Sequence, residues 1–257
     1  MANESASRTG TQAVERALAV LRALEDGPPS LSLTDLAKRT KLSPSTTHRL
    51  LRALCDQGML RQDPVTERYG LGPRLVALGE RAAAALGLAG ARPILEELAR
   101  ASGESVNLGL RDGDEVLVLV CVASSQRLRF DQEAGSRVPV HASAMGKALL
   151  AFEPHRDDTL DALPRLARLT GSTITSRAVL RTELDEVRAR GWALNDEERE
   201  PGVRTVAAPV LAGDGTARAA IAVQGPAVRM ADDRIAELAP LVRAAAAEVA
   251  TQLGGIA

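Results

Sequence analysis

The sequence predicts an α+β protein: a winged helix-turn-helix followed by a separate domain built on an antiparallel sheet. Three observations carry this. Residues 31–54, LSLTDLAKRTKLSPSTTHRLLRAL, hold two short amphipathic stretches separated by a tight turn. Gly70-Leu71-Gly72-Pro73 reads as a boundary. From residue 104 the apolar periodicity changes from helical to alternating, with Asp112-Gly113 and Asp214-Gly215 as hairpin turns.

The elements follow in order. MANESASRTG is polar, and residues 1–9 are expected to form a disordered tail. Val14, Ala17, Leu18, Leu21 and Leu24 recur at helical spacing and predict a first helix of about four turns. Ser32 is a good N-cap, Asp35 completes a capping-box spacing, and Leu31 and Leu36 stand at staple positions. Leu33, Leu36, Ala37 and Thr40 form the buried side of that second helix. Ser43-Pro44 starts a third, with an N-cap and a proline where its missing N–H costs nothing.

In this third helix Thr47, Leu50, Leu51 and Leu54 face inward. Ser45, His48, Arg49 and Arg52 repeat on the other side, with Thr46 beside them. Hydroxyl, imidazole and guanidinium groups on one exposed face can reach base edges and phosphates in a major groove. Residues 58–61 and 68–71 read as two short strands of a wing, with Arg61 and Arg68 flanking it for backbone contacts.

The DNA-binding unit is therefore placed at residues 10–72 and a linker helix at 73–86, with Leu75, Leu78, Ala82 and Ala85 on one side. Such an alanine-rich helix has little bulk of its own and is expected to pack against a second subunit. Residues 87–257 form the remaining domain. It begins with a helix at 92–101 through Ile94, Leu95, Leu98 and Ala101. Strands are expected at 104–110, 115–122, 203–211 and 217–224, and helices at 144–152, 181–190 and 232–253.

Composition fits a soluble globular chain, with 45% hydrophobic and 25% charged residues. Residues 1–70 carry ten Lys and Arg against eight Asp and Glu, while the whole chain has a net charge of −1. A locally basic face does not need a basic protein. Cys55 and Cys121 have no metal or redox spacing and are expected to be buried reduced thiols. The apolar run Ala82–Ala91 is too short to cross a bilayer, and the first residues lack the apolar core of a signal peptide, so a cytoplasmic location without membrane contact is expected. No HExxH, GxSxG, Walker A or GxGxxG pattern occurs, and no metal or cofactor is expected. The adjacent pairs Asp157-Asp158 and Glu197-Glu198 read as solvated surface.

The order of these parts resembles the IclR-type transcriptional regulators over residues 12–254. The resemblance is carried by AVERALAVLRAL (13–24), STTHRLLRAL (45–54), RYGLGPRLVALG (68–79), GESVNLGL (103–110), HASAMGKALLA (141–151), GWALNDEE (191–198) and PGVRTVAAPV (201–210). It implies a dimerising linker helix, a C-terminal domain similar to GAF and PAS folds, dimers or dimers of dimers on double-stranded promoter DNA, and modulation by a small metabolite. It also implies effector contacts at Ala144, Met145, Gly146, Asp196, Glu198, Thr205, Ala207, Ala222 and Gln224.

Two positions depart from the family pattern: Thr205 stands where cysteine is common, and Lys41 where glycine often occupies the helix-turn-helix turn. A small carboxylate, in particular a hydroxy- or amino-acid, is the expected effector. Helix N-termini favour anions, whereas Asp196 and Glu198 would repel a simple dicarboxylate. Two other readings stay open on the residues alone: a DNA-binding oligomeric protein without a ligand, and an enzyme using the C-terminal pocket.

Overall fold

The computed structural model describes the backbone of residues 2–25 and 27–253, and the side chains of residues 11–25 and 27–253. The chain divides into two compact units at Ala83/Ala84. The division falls within the linker helix expected at 73–86, in its last turn.

The first unit contains α1 (Ala2–Glu25), α2 (Leu33–Thr40), α3 (Pro44–Asp56), β1 (Leu60–Gln62), β2 (Tyr69–Leu71) and most of α4 (Arg74–Ala85). Helical backbone begins at Ala2, so residues 2–9 are not the expected tail. They contain no proline, and extending a formed helix is cheap compared with nucleating it. Met1 lies outside the described residues.

Val20 and Leu24 of α1 enter a core with Leu31, Leu36, Leu51, Leu60 and Tyr69. Val14 and Leu18 are exposed. Apolar residues continue around this helix, so periodicity alone does not fix which stripe is buried. β1 and β2 pair antiparallel, and β2 is bridged to Leu31 through Tyr69. Gly72 explains the sequence boundary: a Cβ there would stand 2.2 Å from the Gly58 carbonyl oxygen. α4 buries none of its residues, and Val76 and Leu78 are exposed.

The second unit is a six-stranded antiparallel sheet in the order β5-β4-β3-β8-β7-β6. Its strands are β3 (Ser105–Asp112), β4 (Glu115–Val122), β5 (Arg137–Pro139), β6 (Ala193–Asp196), β7 (Val203–Leu211) and β8 (Ala217–Pro226). Both expected hairpins are present, β3/β4 and β7/β8. β5 and β6 were not expected, being too short to show alternation.

Helices cover both faces. α5 (Leu88–Ser102) and α9 (Asp232–Ala250) pack on Val106, Leu108, Val206, Ala208, Ile221 and Val223. α6 (Ala144–Ala151), α7 (Arg156–Ala162) and α8 (Arg177–Arg190) pack on the opposite face, including Val116, Val118, Ala193, Ala207 and Ala222. β7 is therefore buried along almost its whole length, and alternate residues supply the two cores. In α5 the inward stripe is Ala91, Leu95, Leu98, Ala99 and Ser102; Ala101 is exposed. Among the described residues no helix is long and apolar enough to cross a membrane.

Candidate nucleic-acid interface and ligand site

The helix-turn-helix is fixed by local hydrogen bonds. The Asp35 amide donates to Ser32 Oγ (3.1 Å) and the Ser32 amide to the Asp35 carboxylate (3.4 Å), forming the capping box. The Ser32 hydroxyl, which donates to the Asp35 carboxylate at 2.7 Å, and then the Ser32 amide hold the Asp35 carboxyl below its ordinary pKa. The turn places Lys41 in the left-handed region at φ 55, ψ 33. α3 then starts at Ser43, whose Oγ accepts the Thr46 amide at 3.3 Å.

Thr47 and Leu51 point into the core, and His48, Arg49 and Arg52 point out. None of these three makes a side-chain hydrogen bond or ion pair among the described residues. Ser45 is exposed with its hydroxyl 3.1 Å from Ser43 Oγ; Thr46 is half-buried and accepts from Ser43 Oγ at 2.9 Å. The two hydroxyls therefore belong partly to the cap.

On the wing, Arg61 is exposed and unpaired among the described residues. Arg68 differs from expectation. It is half-buried and donates from Nε to Ser30 Oγ (3.1 Å) and from its terminal nitrogen to Ser30 O (2.8 Å). It ties the wing to the segment before α2, because its side chain leaves β2 beside that segment.

In the second unit, β6, β7, β8 and β3 bring a row of polar side chains onto the α6 face. Asn195 pairs with Thr205, Thr205 with Gln224, and Gln224 with Ser105. The next row on this face is Ala193, Ala207, Ala222, Asn107 and Cys121. Asn107 is 1% exposed, Gln224 4% and Thr205 8%. None of the three makes a side-chain hydrogen bond among the described residues, and Asn107 Nδ2 is wholly shut off from solvent. Buried polar groups are normally satisfied, so Asn107 Nδ2 in particular calls for a partner.

α6 begins beside the row. Its N-cap Ser143 takes the Gly146 amide at 3.1 Å, leaving the Ala144 and Met145 amides without partners inside the helix. Gly146 itself is a packing residue, since a Cβ would lie 2.2 Å from Val140 O.

The acidic candidates Asp196 and Glu198 line one cleft of about 290 Å³ with Lys147, Glu183 and Arg190, but with different partners. Asp196 is exposed and ion-pairs with Arg204 Nε at 2.7 Å, away from the polar row. Side chains alternate along β6, so Asn195 is the inward residue. Asn195 is fully engaged, donating to Ala142 O and accepting the Glu198 amide at 3.2 Å. Glu198, expected on the surface, is buried against Lys147 Nζ at 2.5 Å. Lys147 is 1% exposed and also reaches Glu183 at 3.4 Å. Burial pushes the Glu198 carboxyl above its ordinary pKa, against the pull of the Lys147 ammonium.

Both cysteines are free and half-buried rather than fully buried. Asp157 stays on the surface, paired with Arg156 and Arg181. Among the described residues no three His, Cys, Asp or Glu side chains are placed to hold a metal. A cleft of about 740 Å³ lies elsewhere on this unit, lined by residues including Arg188, Pro209, Pro240 and Arg243.

Two family models cover most of the chain. Residues 13–64 match the IclR helix-turn-helix domain, and residues 87–251 match the C-terminal domain of the bacterial transcriptional regulator IclR. The chain belongs to the IclR family. It is similar to the transcriptional regulator BhcR of Paracoccus denitrificans, 39% identical across 93% of this chain and 86% of that protein. It is also 39% identical to the glycerol operon regulatory protein of Streptomyces griseus, across 95% of this chain and 96% of that one. The crystal structure of an IclR regulator from Alicyclobacillus acidocaldarius superposes with a TM-score of 0.86 at 26% identity, covering 95% and 99% of the two chains. The protein is thus a DNA-binding transcriptional regulator with the two-domain IclR organisation.

In this IclR-family chain, Thr205, Ala207, Ala222 and Gln224, named above from the family resemblance, share one sheet face beside the start of α6. Asn107 and Ser105 escaped the sequence reading. Their signal was present in the alternation of ESVNLGL, but its phase depended on which face α6 would cover.

Proposed function

We propose that this regulator binds promoter operators as a homodimer or a dimer of dimers, and that a small carboxylate bound at the start of α6 modulates the binding. The observation that supports operator reading best is the outward, unpaired presentation of His48, Arg49 and Arg52 on a helix whose other side is core. Ser45 and Thr46 flank the face at the helix start, Arg61 supplies a wing contact, and Arg68 positions that wing. One such unit reads few base pairs, so two are needed for a pair of half-sites. Exposed Val76 and Leu78 on α4 support the linker helix as the dimer element.

Ala144 and Met145 offer amides to an anion, while Thr205 and Gln224 offer groups that both donate and accept. Ala207 and Ala222 form a small-residue floor. Asp196 is held by Arg204, and Glu198 by Lys147, so neither acid repels a bound carboxylate from the row itself. The protein acts through this coupling rather than by catalysis, in the cytoplasm.

Gel-shift titration at fixed salt tests the operator face. Arg49→Ala removes a base contact and weakens specific binding by about 1–3 kcal/mol, with unchanged thermal unfolding. Near-normal operator affinity in that variant would place the recognition face elsewhere.

A further inference from the structure

Asn107 sits within β3 on the α6 face, one residue pair away from the Ser105–Gln224–Thr205 row. Its cross-strand neighbours are Ala222 and Cys121, neither of which offers a strong acceptor. α6 lies over the same stretch of β3: Met145 Sδ is 3.3 Å from where a Cβ on Gly109 would stand. An amide at 1% exposure with Nδ2 unpaired loses its water and gains nothing in return. An apolar side chain of the same shape would serve packing better. The polar identity of this residue is therefore unexplained by the fold.

We propose that Asn107 determines ligand specificity, with its Nδ2 donating to a carboxylate oxygen of a small hydroxy- or amino-acid. This inference rests on the ligand site proposed above and deepens it. Nδ2 is a pure donor and so selects an acceptor. The Ala144 and Met145 amides, at the start of the helix that covers this sheet face, are donors too. Thr205 and Gln224 can then take a hydroxyl or amino group on the adjacent carbon, because each both gives and accepts a hydrogen bond. Lys147, held by Glu198 and Glu183, is not needed as a counter-ion.

The test uses the full chain and four probes: lactate, glycerate, L-serine and the uncharged lactamide, titrated calorimetrically into wild type, Asn107→Asp and Asn107→Leu. At least one acid is expected to bind wild type. Asn107→Asp should weaken that acid at least tenfold, by setting carboxylate against carboxylate, and weaken lactamide much less. Asn107→Leu should abolish acid binding and raise the melting temperature of the ligand-free protein, since it removes an unpaired buried amide. A lower melting temperature in Asn107→Leu, with Asn107→Asp binding the acid as wild type does, would make Asn107 structural and leave the proposed ligand site standing. Equal weakening of acid and lactamide would overturn the carboxylate assignment. If no probe binds wild type that still shifts operator DNA, both this inference and the carboxylate-sensing reading fall.

Discussion

At the scale of single residues, the start of α6 shows how two residue types that suggest ligand contact can serve packing. Gly146 is small because Val140 leaves no room, so Gly146→Ala should cost about 1–3 kcal/mol of stability in urea titration. Lys147 is a buried cation neutralised by Glu198 and Glu183. Lys147→Met strands the buried Glu198 carboxylate, Glu183 keeping Arg190 at 3.0 Å, and should cost about 3–5 kcal/mol, whereas adding Glu198→Leu should restore much of the loss. A double variant no more stable than Lys147→Met alone would show that the pair is not the energetic unit.

Cys121 gives a pH test. Burial raises its thiol from 9.0 to about 11. The folded state therefore holds this proton more tightly than the unfolded chain, a stabilisation complete below pH 9.0 and lost as pH rises through about 11. The fall in melting temperature over that window should be larger in wild type than in Cys121→Ala. Almost none of this was legible beforehand, because GKALLA and NDEE give no hint that Lys147 and Glu198 meet.

At the scale of elements, the sequence was most legible where the signal is local. The capping box at Ser32, the Ser43-Pro44 helix start and the two Asp-Gly hairpins need only neighbouring residues, and all are present. Phase was less legible. The burial of Val20 rather than Val14 on α1, and the inward turn of Asn195 rather than Asp196, depend on which partner covers which side. Three-residue β5 offered no period to read. Lys41 supplies a prediction at this scale. Its left-handed conformation costs a non-glycine residue about 1–2 kcal/mol. Lys41→Gly should recover part of that, offset by the greater freedom of glycine in the unfolded chain, for a net gain of under about 1 kcal/mol. A loss of stability on chemical denaturation would mean that the Lys41 side chain contributes more than its backbone costs.

At the scale of the whole molecule, both helical layers and the sheet of the second unit lie within residues 84–257. A fragment of residues 87–257 should unfold cooperatively, while residues 71–257 should self-associate more strongly, as sedimentation velocity can measure. Equal association of the two fragments would remove α4 from the dimer interface. The two-part architecture was legible because the change of period near residue 104 and the glycines at 70 and 72 are coarse signals. The boundary within α4 was not, since a helix continues through it without a break in pattern.

The Leu31–Tyr69 bridge and the Arg68–Ser30 hydrogen bonds lock the wing to the base of α2. Hairpin and third helix are thereby held at one spacing, a caliper for the base and backbone contacts proposed for them. An operator in which one base pair is inserted between those two contacts, displacing them by roughly 3.4 Å along the axis, should lose the benefit of one or the other. Arg68→Ala, by loosening the jaw, should make binding weaker but more tolerant of that insertion.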